Sequence, residues 1–449
     1  MLNTDGDIGR HITIGTYMIE HREIPLHDIF SHTMTGELIV PHEWLAQLLL
    51  AAAHQIAGLG GVVFLVSFII AITFTLTYRE MLKKGIFHIA ALMVTLLAAF
   101  ASNLHWLTRP HVFTFLFVAL WAYKLEDKSA KWWHFPLIML LWVNTHGAFI
   151  AGFAVWLAFF AGWLWEYLLK YQTISEGRRL LTIVLSSLAV TLINPVGWRL
   201  WDTSVGYFGS RFLVDRTIEY KSPDFHISST WPFLIMLILF FLAHSFKGKL
   251  KMHETLLLVG WGALSLYNTR NIPIFAIVTA PSLGYLFQEN IKISQLITRI
   301  EQNFANIEKE LKGYLFNILA ITLILFATLQ SPTNRFSSQA FPVTAVNWLK
   351  ANPQEGRMFN FFTWGGYLLY TLWPEQRVFI DGQTDFYGEA LAREYVQVES
   401  LQPGWEDVLV NYDVRWVITQ NDQPLEFALV ENGWNLLYED STSVILRKP

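Results

Sequence analysis

LGGVVFLVSFIIAITFTLTYREMLKK, residues 59–84, decides how the rest of the chain is read. From 60 to 78 it carries no charge, and the cations Arg79, Lys83 and Lys84 follow at once. The hydrocarbon core of a bilayer takes about 20 residues of helix, and inside it only a helix or a closed barrel satisfies the backbone. Further apolar runs lie at 87–103, 111–123, 134–144, 148–168, 180–193, 231–246, 254–268, 272–288 and 313–330. They predict an α-helical polytopic membrane protein with about ten transmembrane helices. Composition agrees: of 449 residues 53% are hydrophobic and 15% charged, and the mean hydropathy is +0.35, a membrane composition.

The cations orient the spans, because short cytoplasmic loops are enriched in Lys and Arg. One alternate set of loops holds Arg79, Lys83 and Lys84; Lys124, Lys128 and Lys131; Lys170, Arg178 and Arg179; Lys247, Lys249 and Lys251; and Lys292, Arg299, Lys309 and Lys312. The other short loops hold only Arg109 and Arg270. Residues 1–58, the loop 194–230 and everything after 331 are therefore expected outside, with both ends of the chain extracytoplasmic and the protein in the cell inner (plasma) membrane. Three parts follow: a first outer segment, 1–58; a transmembrane domain, 59–331; and a water-soluble domain, 340–449. In the last, β-type runs at 377–380, 414–419 and 443–446 alternate with helical patterns at 343–350 and 388–399, which argues a small α/β domain. In the first, a helix is expected near 8–21 and an amphipathic one at 43–56, lying along the membrane surface. The polar start carries no export signal, so a further apolar span is expected upstream of Met1.

A net charge of -4 offers no basic field for nucleic acid. No cysteine is present, which excludes disulfides, thiolate metal sites and cysteine nucleophiles. Polar chemistry gathers instead on the outer side. Asp5, Asp7, Arg10, His11, His27, Asp28, His32, His42 and Glu43 crowd the first segment, and acids and imidazoles at this density serve as general bases or bind a divalent cation. At the outer span ends stand His105, Arg109 and His111; Asn144 and His146; Asn194 and Arg199; and Asn268, Arg270 and Asn271. Ionisable groups at membrane depth face a cavity or a partner, and arginine grips phosphate in bidentate fashion. Singly, each has an ordinary reading, a snorkelling cation or a capped helix end. As a set they point to an outward-facing anionic site. In the terminal domain Asp381 and Asp385 flank a glycine at a strand end, where open α/β sheets place ligands; a simple turn is the competing reading.

Asp-Gly-Asp-Ile-Gly-Arg-His at 5–11, Ile-Pro-Leu-His-Asp-Ile-Phe-Ser at 24–31 and Pro-His-Glu-Trp-Leu at 41–45 resemble the first outer loop of the C-type (GT-C) membrane glycosyltransferases. This superfamily includes oligosaccharyltransferases, protein mannosyltransferases and lipid A aminoarabinose transferases. Trp-Gly-Gly-Tyr at 364–367 and Asp-Gly-Gln-Thr-Asp at 381–385 resemble the extracytoplasmic domain of related bacterial proteins. The family loop carries the acidic catalytic residue, so the resemblance places catalysis on Asp7, with Asp5 and Glu43 beside it. Substrate binding would fall to His11, Arg109, His111, His146, Arg199, Arg270, Asp381 and Asp385.

The implied reaction moves a sugar from a polyprenyl-phosphate donor to a glycan, lipid or protein acceptor outside the cytoplasm, with inversion at the anomeric carbon. No cofactor is required; a divalent metal, magnesium or manganese, is compatible with Asp5 and Asp7. Two departures stand out. The chain starts inside the loop rather than with a preceding helix, and it lacks the Trp-Trp-Asp motif that reads acceptor peptides. The alternative is a non-catalytic member of the same fold that binds a lipid-linked glycan or a partner protein. A transporter ranks behind both, since its ionisable groups belong at the midplane.

Overall fold

The computed structural model describes residues 5–206, 211–216, 218–244, 248–290, 295–311, 315–330 and 335–449. Residues 1–4 and the cations Lys247, Lys292 and Lys312 lie outside the described residues. The helices are α1 (Asp7–His21), α2 (Trp44–Lys83), α3 (His88–Ser102), α4 (His111–Glu126), α5 (His134–Val143), α6 (Ile150–Leu168), α7 (Ile174–Val190), α8 (Arg199–Gly206), α9 (Arg211–Arg216), α10 (Trp231–His244), α11 (Met252–Tyr267), α12 (Ile272–Asn290), α13 (Gln295–Glu310) and α14 (Leu315–Gln330). The terminal domain adds α15 (Val343–Ala351), α16 (Gly365–Leu372), α17 (Thr384–Glu399), α18 (Trp405–Asn411) and α19 (Pro424–Glu431), with strands β1 (Arg357–Asn360), β2 (Val414–Gln420), β3 (Asn435–Glu439) and β4 (Ser443–Arg447).

Over the described residues each apolar run is mainly helical. Among the described residues three helices are long and apolar enough to cross a membrane, Trp44–Lys83, His88–His105 and Gly147–Leu168; His134–Val143 and Ser228–Ala243 are shorter apolar helices. Their inner faces build one core. Ala90, Val94, Ala98 and Ala101 line one side of α3 with small side chains, which permits the close approach typical of packed membrane helices. Large apolar side chains also stay on the outside, among them Leu185 at 64% exposure, Phe241 at 79% and Leu323 at 66%. Exposed apolar surface of this kind is a contact surface, and lipid suits it.

Helix α2 is two helices in one. Ala57 and Gly58 leave helical geometry, Gly58 with φ 60° and ψ −153°, where only glycine is comfortable. The break separates the amphipathic first part from the long apolar second part. The first part packs one face against α1. Gly15 of α1 meets the Gln47 carbonyl and Ala51 so closely that a methyl group would not fit. On the other side of α1, Gly9 abuts the Gly366 carbonyl and Gly366 abuts Gly6. Helix α1 is thus clamped between α2 and α16, and His54 Nε2 joins Tyr370 Oη at 2.9 Å across the same junction.

The terminal sheet is mixed, in the order β1-β2-β4-β3. Strands β1 and β2 are parallel, the other pairs antiparallel. Alternation along β2 sends Trp416 and Ile418 toward α1, α15 and α16, and Val417 toward α17, α18 and α19, so both faces are covered. Residues 377–380 are not a sheet strand, contrary to the expectation from their apolar pattern. Only Val378 makes an isolated bridge, to Ser31. The Asn360 side chain takes the ladder's place: its Oδ1 accepts from Phe379 N at 2.8 Å and its Nδ2 donates to the Ile380 carbonyl at 2.9 Å. The consecutive apolar residues Val378, Phe379 and Ile380 are all buried without pairing in the sheet, while β1 and β3 carried too short a signal to be read.

Candidate active site

Asp5 and Asp7 stand at the start of α1, where the Asp5 carboxylate accepts from Asp7 N at 3.1 Å. Negative charge is favoured at that end of a helix. Arg109, from the loop between α3 and α4, meets them. Its Nη2 donates to Asp5 Oδ1 at 2.8 Å and lies 3.1 Å from Asp7 Oδ2, and its Nε also donates to Asp5. Its Nη1 reaches Glu219 at 3.5 Å. The Asp7 carboxylate lies against Gly382 of the terminal domain, leaving no room for a side chain there.

Glu43, just before α2, forms a second centre. Arg10 Nη2 lies 3.6 Å from it, His11 Nδ1 3.7 Å, His146 Nε2 3.7 Å and His42 Nε2 3.9 Å. Arg10 also donates to Gln383 at 2.8 Å and approaches Asp381 at 3.8 Å. Its Nε is buried without a hydrogen-bond partner. Asp385 meets His42 at 3.8 Å. His146 is fixed from behind, for its Nδ1 accepts from Ala148 N at 3.3 Å and lies 2.9 Å from Thr114 Oγ1, which in turn accepts from Trp142. The imidazole proton therefore sits on Nε2, aimed at Glu43. Arg270 donates to Tyr220 Oη at 2.6 Å. His111 Nε2 bonds to the His105 carbonyl at 2.7 Å, with its ring centre 6.5 Å from that of His146.

Burial pushes the Asp7 carboxyl up to about 6, against the pull of Arg109. Burial acts the same way on Glu219, but Arg109 and Arg270 outweigh it and hold that carboxyl down to about 2. Burial, aided by Arg10, keeps His11 well below the usual imidazole range; burial and Arg270 do so for His146. Both imidazoles are neutral near pH 7, and Asp7 is an acid whose charge state changes just below it.

The structure brings together Asp5, Asp7, Glu43, His11, Arg109, His146, Asp381 and Asp385, with His111 and Arg270 joined through its edges. Arg199 stands apart. It is exposed at the start of α8, where Asn194 turns the chain back by accepting from Val196 N and donating to the Gly197 carbonyl. Arg10 and His42, already members of the polar set read from the first segment, take part in the Glu43 centre although the resemblance assigned them no role. Gln383, Glu219 and Tyr220 were given no role from the sequence: Gln383 lies within a quoted motif, while Glu219 and Tyr220 sit in a long loop with no pattern to single them out. Beside the Glu43 centre runs an apolar groove of about 490 Å³, lined by Trp44, Leu45, Leu140, Leu141, Asn144, Ile193, Asn194 and Pro195. Asn144 spends its polar atoms on Trp44 Nε1 and the Leu140 and Ile193 carbonyls, so the groove offers mainly hydrocarbon contact.

A cation-ligand spacing exists elsewhere too. Glu126, His253 and Glu254 present ligand atoms within 4.8 Å of one another, at the far end of α4 and α11 from the cluster. Lys84 Nζ stands among them, 3.1 Å from Glu126 and 2.9 Å from Glu254. At Asp5 and Asp7 a metal ion would meet Arg109 in its place.

No protein-family model matches the chain, and no curated protein matches it. Solved structures do. The oligosaccharyltransferase of Archaeoglobus fulgidus in the apo form superposes with a TM-score of 0.57 at 12% identity, over 93% of this chain and 66% of that one. Archaeal oligosaccharyltransferase AglB from the same organism, in complex with an inhibitory peptide and a dolichol-phosphate, gives 0.56 at 11%, over 100% and 71%. ArnT from Cupriavidus metallidurans bound to undecaprenyl phosphate gives 0.52 at 12%, over 99% and 94%. The chain has the GT-C fold. It spans about two thirds of the apo oligosaccharyltransferase and nearly all of ArnT. Within the GT-C fold of this chain, α1, the start of α2 and the loops after α3, α5 and α11 supply the charged cluster.

Proposed function

We propose that the protein is a membrane glycosyltransferase that moves a sugar from a polyprenyl-phosphate donor to an extracytoplasmic acceptor by one inverting displacement. The observation that carries this reading is the convergence of Asp5, Asp7 and Glu43 with Arg109, Arg270 and His146 at one end of the helices. The solved relatives that hold dolichol-phosphate and undecaprenyl phosphate support the donor class. The ten apolar runs of the sequence and the cation alternation support about ten spans, an inner-membrane location and two outside ends.

In the proposed step the acceptor hydroxyl oxygen bonds to the anomeric carbon while the bond from that carbon to the phosphate oxygen breaks. The hydroxyl proton passes to the Asp7 carboxylate, and the bonding pair leaves on the phosphate. Arg270, which already donates to Tyr220 Oη, is the cation we assign to the departing phosphate. Glu43 orients Arg10 and the three imidazoles around it. The 490 Å³ groove is the berth we assign to hydrocarbon of the lipid-linked donor. The test is release of polyprenyl phosphate from a radiolabelled undecaprenyl-phosphate sugar, with the protein in nanodiscs and an envelope extract as acceptor. Asp7→Asn should lower the rate by about 10²–10⁴, the range for a removed general base; equal rates in the two proteins would refute the assignment.

A further inference from the structure

Three carboxylates from two distant parts of the chain surround one point. Asp5 and Asp7 come from the start of α1 and Glu219 from the loop before α10, and the point they surround is the guanidinium of Arg109. A hard divalent cation takes this kind of oxygen set, at about 2.0–2.6 Å from each donor. Arg109 Nη2 lies 2.8 Å from Asp5 Oδ1 and 3.1 Å from Asp7 Oδ2, so an ion bound to those oxygens would overlap it. Arginine does not lose its proton in proteins, and its planar fork matches paired carboxylates better than a lysine would. The occupant therefore keeps its charge at every working pH. Lys84 holds Glu126 and Glu254 in the same manner at the other end of the helices, so that acidic cluster too is met by a cation from the chain itself.

We propose that Arg109 is a built-in replacement for a divalent metal, and that the Asp5, Asp7 and Glu219 cluster functions without one. A function for the cluster rests on the transferase reading; the occupied cation seat does not. Removal of Arg109 should leave three clustered carboxylates, Asp5 buried and Asp7 and Glu219 half-buried, that repel one another and accept an ion from solution.

The test measures manganese binding to the full-length protein in detergent, by loss of the free-ion paramagnetic resonance signal, together with the melting temperature with and without the metal. Wild-type protein should bind no manganese dependent on Asp7 and should melt at the same temperature in its presence. Arg109→Ala should gain one bound ion, lost again in Arg109→Ala/Asp7→Asn, and manganese should raise its melting temperature, as a ligand of the folded state does. Arg109→Lys, which keeps a cation in place, should gain none and guards against a fold lost in the alanine variant. Two results overturn the proposal: wild-type binding abolished by Asp7→Asn, or no gain in the soluble, folded Arg109→Ala protein. Failure of the transferase reading would show separately, as absent sugar transfer with the manganese results intact.

Discussion

Asp7 is the residue on which the chemistry turns, and its surroundings make two statements about pH. A base must be ionised, so transfer should fall as pH drops through about 6, the value to which burial raises this carboxyl. A pH profile of transfer with a limb elsewhere would separate Asp7 from the reaction. The second statement concerns stability. A carboxyl raised on folding contributes stability below its unfolded value, near 3.8, and loses it as pH rises through about 6. At neutral pH the ionised group opposes folding. Asp7→Asn should therefore melt higher than wild type at pH 7.5, with the gain shrinking as pH is lowered through about 6; a lower melting temperature at pH 7.5 would contradict the assigned burial. Asp5, Asp7 and Glu43 were legible from their motif resemblance. Glu219 was not, because a lone acid in a long loop carries no periodic or positional signal until the loop folds back onto Arg109.

At the scale of elements, the placement of Asp5 and Asp7 depends on how α1 is held, and glycines set that distance. The Gly9–Gly366 and Gly15–Gln47 approaches leave no space for a methyl group. Gly366→Ala should push α16 away from α1, costing about 1–3 kcal/mol as overpacking does and lowering transfer along with stability. Thermal melting and the transfer assay read the two effects, and an unchanged protein would show that the clamp is not what seats Asp7. The Trp-Gly-Gly-Tyr motif was legible in the sequence; its purpose was not, since a close approach between residues 9 and 366 exists only in three dimensions. The helices were legible because apolar runs declare themselves over many residues, and β2 and β4 for a similar reason. Residues 377–380 misled because a side-chain amide, Asn360, imitates a neighbouring strand.

For the whole molecule, orientation and reaction must agree. The native chain has no cysteine, so a single Ser441→Cys reporter should be labelled in intact cells by an impermeant thiol reagent; protection until lysis would put the terminal domain on the wrong side for an extracytoplasmic acceptor. The most direct test of the central claim is the lipid fraction of cells from which the gene has been removed, analysed by mass spectrometry after complementation. A polyprenyl-phosphate sugar should accumulate without the protein, disappear when the wild-type chain is restored, and persist with Asp7→Asn expressed to the same level. Depletion of that lipid by Asp7→Asn as completely as by wild type would contradict the account.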